Sequence, residues 1–209
     1  MKSSELFLTN NSIASDLIKN YEYPYMVLNL IHDFIIKKGE ELDENFIKYE
    51  ENIWIHKTVK VSEIAEIIGP CIIDENTEIR HNAFIRGNAI IGKNCVIGNS
   101  CEIKNSIIFD NCQIPHFNYV GDSILGFSAH MGAGAITSNI KSDRTEVKNT
   151  GLIKVGAFLG DYVEVGCNCV LNPGTIIGSH TNIYPLTSVR GVIGSNKIVK
   201  NMNDIVDKK

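Results

Sequence analysis

Residues 84–104 read F-I-R-G-N-A-I-I-G-K-N-C-V-I-G-N-S-C-E-I-K, and an aliphatic residue returns there at every sixth position: Ile85, Ile91, Ile97 and Ile103. Upstream the same period gives Ile55, Val61, Ile67, Ile73 and Ile79. Downstream it slips by one residue at Ile108, continues through Ile114 and Val120, and slips again at Leu125 before Met131. Past a polar interval it resumes as Ile153, Leu159, Val165, Leu171, Ile177, Ile183 and Val189. A period of six fits neither a helix nor a lone strand; it is the hexapeptide signature of a parallel β-helix. Four positions after the aliphatic stands a small or β-branched residue, as at Cys71, Thr77, Ala83, Ala89, Cys95 and Cys101. Three hexads make a triangular coil of about eighteen residues. Both recurring residues point inward, and coils stack at ~4.8 Å. About seven coils are expected over 53–195. The glycines that follow the aliphatic, Gly92, Gly98, Gly121, Gly126 and Gly132 among them, are expected to serve corners that need positive φ.

The chain has 209 residues and a formal net charge of −4, so no nucleic-acid partner is indicated. No apolar run reaches the ~18 residues of a membrane span, and Met1–Glu5 lacks an apolar signal core; a cytoplasmic location is expected. Of six cysteines, Cys71, Cys95, Cys101, Cys112 and Cys169 fall on the inward small position, which reads as packed thiols. Cys167 is the exception, and no paired C-x-x-C spacing marks a metal site.

Residues 1–52 do not follow the repeat and read as a helical cap. Asn11 and Ser12 could cap a helix running to Lys19, and Val27, Leu30, Ile31, Phe34 and Ile35 share one face of a second helix closed by Lys37, Lys38 and Gly39. Covering the open end of the β-helix is the expected role. The polar interval 137–152 reads as an inserted loop on the binding side, and 196–209 as a polar tail, disordered or helical in part.

Coil arithmetic stacks Ile85, Ile103, Val120 and Thr137, which puts Arg86 and Lys104 on adjacent coils. Two like charges that close call for an anion, a phosphate being the natural one; the alternative is two solvated surface charges splayed apart. The segment I-P-H-F-N-Y-V-G-D from Ile114 breaks the hexapeptide rule most sharply. His116 there is suited to accept a proton near neutral pH, with Tyr119 beside it on the same coil.

These residues carry a resemblance. From Arg86 through E-I-K (102–104), H-F-N-Y-V-G-D (116–122) and H-M-G-A-G-A-I-T (130–137) to Asn139, the chain resembles, without gaps, the acetyltransferase half of the bifunctional N-acetylglucosamine-1-phosphate uridyltransferase/glucosamine-1-phosphate acetyltransferase family. Stand-alone chains of this kind resemble those named UDP-N-acetylglucosamine pyrophosphorylase-related. The resemblance implies a left-handed β-helix, acetyl-CoA as co-substrate and a homotrimer with sites between neighbouring chains. It implies His116 as catalytic base, Arg86 and Lys104 on a sugar phosphate, Tyr119 and Asn139 on the substrate, and Ala133, Cys167 and Pro185 along the coenzyme. His130 stands where that family has asparagine and is an alternative base; Ile140 replaces an aromatic, and Ser142, Asp143 and Arg144 occupy its glycine-lysine stretch. No room for a uridyltransferase domain exists before residue 53, so no pyrophosphorylase activity is expected.

The function expected is coenzyme A-dependent N-acyl transfer, acetyl being the expected group, to a phosphorylated or nucleotide-linked amino sugar such as glucosamine-1-phosphate. The alternative is a non-catalytic binder of sugar phosphates or nucleotide sugars that partners a separate nucleotidyltransferase. A third reading, a zinc enzyme resembling γ-type carbonic anhydrase on His81 and His116, lacks a third histidine where Gly121 stands, and no metal is expected.

Overall fold

In a strand whose inward side is fixed by Ile73, Ile91 or Ile108, the residue just before must point out. On one face of this protein those residues are apolar too: Trp54, Ile72, Ile90, Ile107, Ile124, Phe158 and Ile176. The computed structural model, which describes residues 1–8 and 12–209, explains them. The chain winds into a parallel β-helix of three faces, left-handed as expected. The first face stacks strands at 53–56, 71–73, 89–91, 106–108, 124–125, 157–159, 175–177 and 192–193. The second begins at 60–61 and includes 96–99, 113–116, 130–131 and 164–165; the third begins at 66–68 and includes 84–86, 102–104, 119–121, 136–137 and 170–171. Seven coils are complete, and an eighth supplies two faces.

The inward positions behave as read. Ile73, Ile79, Ile85, Ile91, Ile97 and Ile103 are buried, as are Cys71, Cys95, Cys101, Cys112 and Cys169, all free thiols, while Cys167 is exposed. The register pairs Ile85 with Ile103 and Ile103 with Val120.

The corners correct the sequence reading. Gly92, Gly98, Gly121, Gly126 and Gly132 do not have positive φ. Gly92, Gly98, Gly126 and Gly132 are glycines because stacked coils leave no room at the corner: a Cβ on Gly98 would lie 1.7 Å from the Pro115 carbonyl oxygen, while at Gly121 the crowding comes from the Tyr119 ring of its own coil. The left-handed conformation falls instead on Asn76, Asn82, Asn88, Asn94 and Asn111, with φ between 50° and 62°, a region asparagine tolerates because its side chain bonds locally.

The N-terminal helices also lie elsewhere than expected. They run along the outer surface of the first face, not over an open end. Helix Ile31–Gly39 packs on strands 71–73 and 89–91, burying Ile72 and Ile90 completely. A side chain on Gly39 would collide with the Trp54 indole, so glycine lets the helix settle there. At the other end, the Leu6 carbonyl accepts from the Asp161 N–H (3.1 Å) and Ser179 Oγ (2.9 Å), Leu8 N–H donates to the Asp161 carboxylate (2.8 Å), and Phe7 stacks on Phe109 at 5.1 Å. Val27, Ile31 and Ile35 are buried as the periodicity implies, though Pro24–Leu30 is 3-10 helix. The preceding helix spans Ser15–Lys19; Ser12 Oγ accepts from the Ala14 N–H before it begins, and Asn11 lies outside the described residues.

Three boundaries move. Phe46–Glu50 is a strand antiparallel to Ile53–His56, not part of a helical cap. The tail is a hairpin of Lys197–Asn201 and Asp204–Asp207 that closes the second face, neither helical nor disordered. The excursion leaves the repeat after Thr137 and rejoins it at Ala157; Ile153, half exposed and next to the bridge of Lys154 with Ile140, belongs to the loop and not to the repeat. Among the described residues no helix is long and apolar enough to cross a membrane.

Because Ile90 fills the seam between the β-helix and its covering helix, Ile90→Ala is expected to lower the free energy of unfolding by about 2–5 kcal/mol, measured by urea denaturation. A change under about 0.5 kcal/mol, as for an exposed position, would mean that the helix does not cover the face.

Candidate functional site

The corner between the second and third faces holds a column of residues, one per coil. The backbone ladder sets it: Phe117 N–H bonds the Asn99 carbonyl (2.9 Å), Gly134 N–H the His116 carbonyl (3.0 Å), Asn168 N–H the Ala133 carbonyl (2.8 Å) and Leu186 N–H the Cys167 carbonyl (2.9 Å). His116, Ala133, Cys167 and Pro185 thus descend the same edge on four successive coils. Above them come Asn99 and then His81, whose Nε2 the Asn99 side chain meets. His81 and His116 are two coils apart, as expected, with Asn99 between. Among the described residues no three His, Cys, Asp or Glu side chains converge to hold a metal ion.

The His116 ring is exposed and makes no hydrogen bond among the described residues; its backbone is held firmly. Asn118 occupies an inward slot that other coils fill with cysteine, alanine or threonine. Its amide donates to the carbonyls of Gly132 (2.8 Å) and Ala135 (3.1 Å), and its oxygen accepts the His116 N–H (3.1 Å). Phe117 beside it is 64% exposed at φ 53°, and Leu186 at the foot of the column is 79% exposed at φ 61°. Bulky residues in that conformation are uncommon.

A second cluster lies at the other edge of the third face, where the loop departs. Arg86 Nη1 donates to Glu102 Oε1 at 2.6 Å, and Lys104 Nζ lies 3.3 Å from Asp122 Oδ1. Asp122 is 3% exposed and gathers three donors: Lys104, the Asn105 amide at 2.8 Å and the Asn139 amide. Asn139 also donates to the Tyr119 hydroxyl at 3.1 Å. Tyr119 lies across Gly121, where any Cβ would meet its hydroxyl. Burial first, then the nearby Asp122 and Glu102 charges, push the Tyr119 phenol up, so it stays a protonated donor.

The structure therefore joins Lys104, Tyr119 and Asn139 in one network around Asp122, sets the Arg86–Glu102 pair beside it, and places Ala133, Cys167 and Pro185 under His116. It does not bring His116 into that network within one chain: histidine and lysine stand at opposite ends of the strand Tyr119–Gly121. Glu102 and Asp122 lie against Arg86 and Lys104, so each cation has a carboxylate neighbour within the chain. His130 is outside both groups; it lies in register with Gln113 on the second face, its Nδ1 2.8 Å from Glu164 Oε2. Sequence reading quoted Glu102, Asn118 and Asp122 without giving them a task. Asn118 could have been found as the polar residue in an apolar slot.

Thiol chemistry reads this column. Burial pushes the Cys71 thiol up to about 12 and raises Cys101, Cys112 and Cys169. Alkylation of the native protein is expected to modify Cys167 rapidly, with the five inward thiols reacting only on unfolding. Fast modification of more than one thiol, counted by intact mass, would contradict the inward assignment.

The family described as "GMPPB C-terminal domain" matches residues 67–193, more than half of the chain. The chain is 35% identical over 102 residues to a bifunctional sugar-1-phosphate nucleotidylyltransferase/acetyltransferase of Sulfurisphaera tokodaii, covering 45% of this chain and 25% of that protein. It is 34% identical over 110 residues to the bifunctional protein GlmU of Methanococcus maripaludis, covering 49% and 27%. The chain thus spans about a quarter of the length of these relatives. Among solved structures, a mutant of perosamine N-acetyltransferase from Caulobacter crescentus in complex with CoA and GDP-perosamine aligns with a TM-score of 0.41 at 17% identity, over 74% of this chain and 55% of that one. The matched segment takes in both edges of the third face, from Arg86 to Pro185, and on that span the chain belongs to the GMPPB C-terminal domain family.

Proposed function

We propose that this chain is a coenzyme A-dependent N-acyltransferase that moves an acetyl group from acetyl-CoA to the amine of a phosphorylated or nucleotide-linked amino sugar, glucosamine-1-phosphate being the type. The observation that carries the reading is the column of His116 over Ala133, Cys167 and Pro185. It gives an extended coenzyme an edge to lie along and puts a proton acceptor at its head. A relative named bifunctional sugar-1-phosphate nucleotidylyltransferase/acetyltransferase supports the reaction class.

In this mechanism the sugar ammonium first sheds one proton to solvent, and His116 takes a second from the nitrogen as the resulting amine attacks the thioester carbonyl. The C–N bond forms, the C–S bond breaks, and the thiolate of coenzyme A recovers the proton. Arg86 and Lys104 hold the acceptor's phosphate, with Tyr119 and Asn139 on the sugar; fixing the amine in reach is a large share of the rate in two-substrate transfer. Glu102 and Asp122 keep the two cations extended before the acceptor arrives. His130, tied to Glu164 on another face, suits the base role less well. A homotrimer fits the outward residues of the third face: Ile136 and Val170 are exposed between Phe117 and Leu186 and offer an apolar seam to a second copy. Such packing brings one chain's His116 edge close to another chain and completes a site whose two halves lie apart in one chain. A location in the cytoplasm accords with this chemistry.

One observation favours a second reading, a sugar-phosphate binder without turnover: within one chain His116 stands at the opposite edge of the third face from Arg86 and Lys104. Thiol release from acetyl-CoA with glucosamine-1-phosphate and nucleotide-linked amino sugars separates the two. Acceptor-dependent release that falls ~100-fold or more in His116→Ala is expected, the range for losing a general base. Acetyl-CoA is also expected to slow alkylation of Cys167. Binding of sugar phosphate with no release from any acceptor would favour the second reading.

A further inference from the structure

The cover over the first face stops short. Its outward residues are fully buried from Ile72 to Ile124 and nearly so at Phe158, but Ile176 is half-buried and Val192 is 57% exposed. Beside this bare end lies a groove of about 1140 Å³ between the N-terminal segment and the excursion 138–156. It lies beyond the Asp122 network, one residue past Asn139 at Ile140, and nothing in the transfer mechanism uses it. Its volume has room for an extended small molecule.

Three features of the lining define that occupant. Tyr23 and Tyr25 stack at 5.7 Å with their rings 10° from parallel, an aromatic pair on one wall. Ile176 and Val192 make an apolar floor. Lys148 and Arg190 line the groove as cations with no carboxylate partner among the described residues; Arg190 is steadied only by the Asn172 side-chain oxygen at 3.4 Å. Asp143, the one carboxylate among the described lining residues, is already paired with Lys141 at 3.6 Å. A planar ring stacks on tyrosine with little regard to its identity, and phosphate oxygens are the anion that arginine and lysine hold best.

We propose that this groove binds a nucleoside diphosphate, with the base on the Tyr23–Tyr25 pair and the phosphates on Lys148 and Arg190. The site stands apart from acyl transfer and does not depend on it. The test is calorimetric titration of the full chain with UDP, GDP and UDP-glucose, and with uridine and inorganic pyrophosphate as part-ligands. Saturable binding of a nucleotide is expected, tighter than either part-ligand, weaker at higher salt, and reduced about tenfold or more by Lys148→Gln, by Arg190→Gln and by Tyr23→Leu. His116→Ala is expected to leave it unchanged, so loss of transfer and loss of this site are told apart. Tighter binding of UDP-glucose than of UDP would mark a nucleotide-linked sugar as the occupant; equal binding would mark the free nucleotide. Lys148 and Arg190 are exposed, so their variants report on binding even if Tyr23→Leu does not fold. Absence of saturable nucleotide binding at millimolar concentration, pyrophosphate binding as tight as UDP, or binding that survives both cation substitutions would overturn the proposal.

Discussion

Every coil of this protein hangs from the one before it by backbone hydrogen bonds, and the close stacking that those bonds impose governs the rest. It forces glycine at Gly98, where the Pro115 carbonyl of the following coil occupies the space a side chain would need. It puts a left-handed residue at the corners that follow the first coil, asparagine more often than any other. It also converts sequence distance into a ruler. Residues 16 to 18 apart become neighbours, so a functional edge is assembled one residue per coil.

The ruler has two irregular marks. The hexads that begin at Ile103 and Val120 are one residue short, and both shortfalls fall at the corner between the third and first faces. There the left-handed residue comes two positions after the aliphatic, at Asn105 and Asp122, where most other corners have it at three. The shortened corners bring Asn105 and Asp122 together, and around them Lys104 and Asn139 gather. Removing a residue from the repeat is what makes room for the polar network: the break in the pattern and the site coincide.

Much of this was legible in the sequence. The period of six gave the architecture, the inward residues and the fate of six cysteines, because burial inside a narrow prism is decided residue by residue. The same arithmetic put Arg86 next to Lys104. It missed which edge of the third face each residue takes, since a spacing names the coil and not the side-chain direction; His116 was therefore grouped with cations that stand at the opposite edge. Glycine was assigned to the wrong duty, although the recurring asparagines at 76, 82, 88, 94 and 111 were there to be read. The triplets C-I-I, A-I-I, S-I-I and A-F-L, with one apolar residue more than the inside can use, announced a covered face. The polar tail misled because a terminal hairpin needs few apolar residues when one strand borrows a ready-made edge.

The covering segment has a consequence for how the chain comes together. A solenoid of stacked coils can grow from any point, each coil leaning only on its neighbours. Here Gly39 rests on Trp54 in the first coil, while Leu6 and Leu8 are bound to Asp161 and Ser179, two of the last coils to be made. During synthesis the N-terminal segment leaves the ribosome first, yet the seat for its leading residues is not finished until residue 179 is in place. Until then Leu6 and Leu8 lack these partners. Once docked the segment spans nearly the whole stack, so that coils at the two ends, which share no direct contact, unfold as one.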